Sequence, residues 1–427
     1  MLSFPELRCR EFARLDAQGQ AYLDYTGAAL YGASQVRAHM ALLEAGLFGN
    51  PHSDSAPSRA STEAMERARH LVLRFLDVDE STHDVVFTAN TTAAIKLVAE
   101  GYAFDPTTSL ILSADNHNSV LGIREYARRA GACVQMLRLD GELRLRDPLP
   151  PVTRGLLAFP AQSNFSGVRH PLSLVDDAHA LGLDVLVDIA AYAPSRALSL
   201  RDCPADFAAL SFYKLFGYPT GIGALIARRE ALSRLHRTWF AGGTVLYASV
   251  AADRHRLRPR HEGFEDGTPN FLGLAALDAG FALLDEVGMP QISAHVAHLT
   301  GLFLDGLASM PHVRVYGPRN LTDRGGTVAF NVDGVAFSVV EQRAREAGVS
   351  LRGGCFCNPG ASEAAFGLDT TQLASCLASI DDDFSIERFS ACAGMSLGAV
   401  RASFGMATSE KDVYRALDVL AALRPLI

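Results

Sequence analysis

An α/β fold with a mostly parallel central sheet is predicted by three features of the sequence. Short apolar runs alternate with amphipathic stretches from about residue 84 onward, turn residues mark each change, and the alternation repeats several times. The runs 84–89 (DVVFTA), 109–114 (SLILSA), 133–139 (CVQMLRL), 155–161 (GLLAFPA), 184–190 (DVLVDIA) and 206–212 (DFAALSF) read as strands. Between them, 93–103 (AAIKLVAEGYA), 119–132 (SVLGIREYARRAGA) and 171–182 (PLSLVDDAHALG) read as helices that cover both faces of the sheet. The segment 221–228 (GIGALIAR) adds a further strand. From about residue 285 the spacing changes. A long helix over 291–309 precedes the short strands 313–317 and 327–332, a helix over 337–347 and a last helix from about 410. This pattern predicts two domains: a large α/β domain over 20–284, and a smaller α+β domain over 285–427 with residues 1–19 packed nearby. The run 381–383 (DDD) reads as a solvated loop.

Bulk properties narrow the class. With 427 residues, 48% hydrophobic and 20% charged, the chain is globular and long enough for more than one core. A net charge of −8, spread without long runs, argues against nucleic acid or a membrane surface as partner. Charges interrupt every apolar run at the N-terminus, so a secretory leader is not expected, nor is any membrane span. Seven scattered cysteines, an odd number, then suggest free thiols in a reducing cytoplasm.

Lysine occurs only three times, at Lys96, Lys214 and Lys411. Lys96 and Lys411 fall on polar helix faces, whereas Lys214 ends an apolar strand. It could simply snorkel there; alternatively, desolvation activates its amine toward a carbonyl cofactor. Asp188 ends another strand. It could cap the following turn, or point into the ligand crevice of an α/β sheet and pair with a pyridine nitrogen, as pyridoxal phosphate requires. Thr91 and Thr92 open a helix, where one can serve as N-cap and both suit a phosphate. His117 and Asn164 end two more strands. Five strand ends thus present Thr, His, Asn, Asp and Ser/Lys along one rim, which coincidence explains poorly.

The segment 351–360 (LRGGCFCNPG) holds Cys355 and Cys357. A metal site needs about four ligands, and residues 340–370 offer no histidine and no third cysteine. A disulfide between residues two apart would be strained. The flanking glycines and Asn-Pro describe a mobile, partly exposed loop, so a working thiol is the favoured reading over packing.

Taken in order, YLDYTGAAL, GNPHSDS, FTANTTAAIKLVA, SNFSG, LVDIAAY, SFYKLFGYPTGIGAL, FAGGTV, FEDGTPN, LRGGCFCNPG and GAVRASFG span almost the whole chain. In these motifs the sequence resembles the class V branch of fold-type-I pyridoxal-phosphate enzymes, the cysteine desulfurases. SFYKLFGYPTG and RGGCFCNPG are most similar to the amino-terminal domain of molybdenum-cofactor sulfurases. The resemblance implies Lys214 as the Schiff-base lysine, Asp188 at the ring nitrogen, His117 stacked on the ring and Asn164 facing the phenolic oxygen. It implies Thr91, Thr92 and Ser211 at the phosphate, with Tyr213 beside Lys214. Thr268 would reach the phosphate of a partner subunit, and hence a homodimer is implied. Arg401 would clamp the substrate carboxylate, and Cys357 would be the sulfur nucleophile. The chain departs from the usual pattern at Ala191, where many desulfurases carry Gln or His, and at Tyr213, where many carry His. The carboxy-terminal domain of the sulfurases has no counterpart before Ile427, so the resemblance names no final acceptor.

The expected activity is therefore conversion of L-cysteine to L-alanine with a persulfide left on the enzyme for transfer to a protein or small-molecule acceptor. A lyase, aminotransferase or epimerase of the same family acting on another amino acid is the alternative, and a non-catalytic sulfur-transfer scaffold is a third reading. Retention of Lys214, Asp188 and His117 together argues against the scaffold.

Overall fold

The computed structural model describes residues 3–368, 370–380, 385–394 and 397–423. The aspartate run at 381–383 lies outside them. Seven strands form the large sheet: β1 (His83–Thr88), β2 (Ser109–Ser113), β3 (Cys133–Leu137), β4 (Gly155–Pro160), β5 (Leu183–Asp188), β6 (Phe207–Ser211) and β7 (Gly223–Arg228). Their spatial order is β1-β7-β6-β5-β4-β2-β3, and every pairing is parallel except the two made by β7. Each predicted run thus becomes a strand, and 221–228 supplies the reversed one.

Near-continuous apolar strands are what a sheet buried on both faces requires. Side chains alternate between two cores: Val85, Ile111, Leu157, Val185 and Leu210 enter one, while Val86, Leu110, Leu156, Leu186 and Ala209 enter the other. The predicted helix over 119–132 divides at Gly122 into Asn118–Leu121 and Ile123–Arg129. His117 caps the first piece, so the chain turns at the rim before it covers the sheet.

A second, antiparallel sheet follows, made of β8 (Val313–Tyr316), β9 (Thr327–Val332), β10 (Arg352–Gly354) and β11 (Ala399–Ser403), in the order β8-β9-β11-β10. The helices Met289–Ala308 and Glu410–Ala422 pack beside it. The N-terminal helix Phe4–Glu11 docks on this unit: Phe4 stacks on His295 with ring centroids 3.7 Å apart, and Arg8 Nη1 meets Asp412 Oδ2 at 2.5 Å.

One expectation from composition fails. Cys376 and Cys392, on the paired helices Thr370–Ser379 and Ile386–Ala393, form a disulfide. They lie 16 positions apart in sequence, and only the pairing of the two helices brings them together. Counting cysteines could not reveal a pairing that depends on that fold. The other five, including Cys355 and Cys357, are free.

Candidate active site

The C-terminal ends of the parallel strands converge on a cavity of about 170 Å³. Ligand crevices of open α/β sheets lie at that rim. Thr91, Thr92, His117, Asn164, Asp188, Ser211, Tyr213 and Lys214 all line it, so eight residues singled out from sequence meet in one place.

Lys214 lies in the short helix Phe212–Phe216 that β6 feeds directly. Gly217 ends that helix at φ +83°, where a Cβ would come within 2.3 Å of the Tyr31 backbone nitrogen, so only glycine lets the chain turn away. Burial pushes the Lys214 amine below its ordinary value; Asp188 opposes the shift, and Arg401 and Arg352 add to it. No hydrogen bond or ion pair engages Lys214 Nζ among the described residues. Asp188 is buried at the end of β5, and its Oδ1 accepts from the Ala190 N–H at 2.9 Å. Its Oδ2 has no protein partner among the described residues. An unpartnered amine and a carboxylate oxygen therefore share one small cavity.

At the opposite wall, the helix Thr91–Gly101 begins. Neither threonine is its N-cap: Asn90 takes that place, accepting from the Ala93 N–H at 3.0 Å. The threonine hydroxyls are thereby left for other partners. Ser211 Oγ accepts from the Thr91 N–H at 2.8 Å and lies 2.6 Å from Thr91 Oγ1. Thr92 Oγ1 lies 2.7 Å from Ser119 Oγ, which is 2.9 Å from His117 Nδ1. His117 Nδ1 also accepts from the Ser119 N–H at 3.1 Å, so the neutral ring carries its proton on Nε2. Burial lowers the His117 pKa, consistent with a neutral ring, although Asp188 pulls the other way.

Arg401, in β11, is almost wholly buried. Its Nη1 donates to the Asn164 carbonyl and its Nη2 to Asp24 Oδ1, both at 2.9 Å. Asp24 Oδ2 also accepts from Arg352 Nε at 2.9 Å. Two guanidinium groups thus share one carboxylate, leaving an excess positive charge beside the cavity. Asp24 was not singled out from sequence, although the motif YLDYTGAAL contains it; nothing local marks an aspartate whose partners lie more than 300 residues away.

The cysteine loop differs from expectation. It is held, not loose. Asn118 N–H donates to the Cys357 carbonyl at 2.7 Å, and Asn164 Nδ2 to the Phe356 carbonyl at 2.7 Å. Phe356 is buried between Phe165 and the Arg401 guanidinium, with centroid distances of 5.4 and 4.6 Å. Phe356 and Cys357 both adopt φ +55°, a conformation costly for side-chain-bearing residues that this surrounding web maintains. Cys357 itself remains exposed and Cys355 partly so.

Thr268 is not in this cavity. It lines a separate one of about 410 Å³ with Thr88, Lys96 and Trp239.

The family model described as Aminotransferase class-V matches residues 21–416. The chain belongs to that family. Pyridoxal phosphate is the cofactor that the class-V fold implies, and the cavity's donor set fits it: a desolvated amine, a buried carboxylate, a neutral histidine and hydroxyls at a helix N-terminus. This class-V chain is 35% identical to the molybdenum cofactor sulfurase of Arabidopsis thaliana, with 97% of the chain aligned to 57% of that protein. It therefore spans less than two thirds of the length of that curated relative. Among solved structures, it resembles the apo cysteine desulfurase of Thermococcus onnurineus NA1, with TM-score 0.82, 26% identity, and coverage of 97% of this chain and 96% of the other. The cysteine desulfurase CsdA of Escherichia coli gives TM-score 0.79 and 26% identity, covering 99% and 98%.

Proposed function

We propose that the protein is a pyridoxal-phosphate-dependent cysteine desulfurase, or sulfurase, that converts L-cysteine to L-alanine and leaves the sulfur as a persulfide on Cys357. The observation that carries this reading is the tether between Cys357 and Asn118, the residue next to His117. It ties the loop that carries an exposed thiol to the segment of His117, which lines the same cavity as Lys214 and Asp188.

Lys214 would attach the cofactor, with Asp188 at its ring nitrogen, His117 against its ring, Asn164 and Tyr213 alongside, and Thr91, Thr92 and Ser211 at its phosphate. Bound there, the cofactor supplies an electron sink for the substrate α-carbon. Arg401 binds the substrate carboxylate through the N–H groups that Asp24 and Asn164 leave free. Lys214 Nζ, whose proton affinity burial lowers, would accept the α-proton once the substrate amine has displaced it from the cofactor. Cys357 Sγ, as thiolate, then attacks the substrate sulfur. The carbon–sulfur bond breaks, its electron pair stays with carbon, that carbon takes up a proton, and return of the α-proton from Lys214 completes alanine.

The hairpin of strands Val245–Ser249 and Arg254–Leu257 exposes Leu246, Tyr247 and Val250, with Trp239 and Phe240 also exposed in the preceding segment. Such apolar exposure supports a homodimer in which Thr268 serves the partner's phosphate site. We also take residues 20–284 and 285–427, with 1–19 against the latter, as the two domains, and the cytoplasm as the site of action. No helix among the described residues is long and apolar enough to cross a membrane. The test is incubation with L-cysteine, followed by alanine quantitation and intact mass. Stoichiometric alanine and one added sulfur are expected. Release of pyruvate or another keto acid without an added sulfur would favour the lyase or aminotransferase reading.

A further inference from the structure

Three segments that build the site meet at one fully buried carboxylate, Asp115, which lies between β2 and His117. Its Oδ1 accepts from Ser163 Oγ and from Asn358 Nδ2, both at 2.7 Å, and its Oδ2 lies 2.8 Å from His170 Nε2. Ser163 and His170 flank Asn164 on the loop after β4, while Asn358 directly follows Cys357. An ionised carboxylate only accepts hydrogen bonds, so it can gather donors from several loops at once.

Asn358 is the link with the most consequences, because every polar group of its side chain is used. One N–H of Nδ2 goes to Asp115 and the other to Asn164 Oδ1 at 3.0 Å. Its Oδ1 accepts from the Ala361 N–H at 3.2 Å and so caps the helix Pro359–Phe366. Gly360, in the first turn of that helix, packs so closely that a Cβ would lie 2.2 Å from the Ala114 carbonyl oxygen. The cysteine loop is therefore bonded to the His117 segment and the Asn164 loop at the same time.

We propose that Asn358, anchored by Asp115, is the positioning residue that sets Cys357 relative to His117 and Asn164, a role that rests on the desulfurase reading above. Neither residue touches the reacting atoms; they act through the backbone of 355–358. Without the amide donors of Asn358, the Asp115 carboxylate and Asn164 Oδ1 lose a partner each, and the residue that follows the left-handed Phe356–Cys357 turn loses its anchor.

Asn358→Ser separates this role from helix capping, because serine still caps but offers no donor that spans both partners. Asn358→Thr, which likewise caps the helix but cannot span both partners, is the second variant should the first fold poorly. Hydrogen–deuterium exchange of the purified protein, read on peptides covering 113–121 and 352–360, needs no turnover. The Asn118 amide, bound to the Cys357 carbonyl, is expected to exchange about tenfold or more faster in either variant, with the Thr91–Gly101 helix unchanged. In parallel, kcat for alanine formation from L-cysteine should fall on the order of 10²-fold while KM stays near the wild-type value. Unchanged Asn118 exchange, or equal losses in KM and kcat, would overturn the positioning role. If the wild-type protein forms no alanine at all, the desulfurase reading falls, and the exchange result still decides whether Asn358 fixes the loop.

Discussion

Arg401 is a single residue with several duties. Its guanidinium holds Asp24, supports the Asn164 carbonyl and covers Phe356, yet its Nε has no hydrogen-bond partner among the described residues. Burial lowers its pKa, and Asp24 is the first group that counters this. Arg401→Ala should therefore raise KM for the amino acid by an amount equal to roughly 2 to 5 kcal/mol, because a desolvated carboxylate loses its charge-assisted donor. Arg401→Lys should recover little, since an ammonium cannot replace the planar fork. Saturation kinetics check both; an unchanged KM would transfer the role to Arg352, which shares Asp24. At this scale the sequence was legible where chemistry sits at strand ends: Lys214, Asp188, His117, Asn164, Thr91, Thr92 and Ser211 share one cavity. It was not legible for Asp24, Asp115, Ser119 and Asn358, whose importance lies in partners that only the fold supplies.

Elements carry their own signatures. The strands were readable because a sheet buried on both faces demands continuous apolar runs. Strands β10 and β11 were not assigned, since RGG and AVRAS are short and lack alternation between faces. The packing of the N-terminal helix on the second unit gives a pH test. His295 is partly buried under Phe4 with Nε2 2.9 Å from the Thr408 carbonyl oxygen, and this desolvation pushes its pKa down to about 4. Between pH 6.5 and 4 the unfolded histidine binds a proton that the folded one refuses, so stability falls as pH falls through that window. The loss amounts to roughly 3 kcal/mol at most. His295→Gln should flatten the melting temperature over this range relative to wild type; parallel curves would show that His295 titrates normally.

At the scale of the whole molecule, the reading requires two copies. Tyr247 and Val250 are 69% and 101% exposed on a hairpin beside the segment that leads to Thr268, more apolar exposure than an isolated chain tolerates well. Sedimentation equilibrium should return twice the mass of one chain, and Val250→Asp combined with Tyr247→Asp should shift the population toward monomers that retain less cofactor. Monomers at micromolar concentration in wild type would contradict this. The measurement that reaches the central claim most directly compares Cys357→Ser with Cys355→Ser after incubation with L-cysteine, reading alanine and the mass of the peptide that contains the loop. Cys357→Ser should bind the amino acid but make neither persulfide nor catalytic alanine, while Cys355→Ser should keep substantial turnover with sulfur on Cys357. Full alanine production by Cys357→Ser, or sulfur found on Cys355 instead, would contradict the claim.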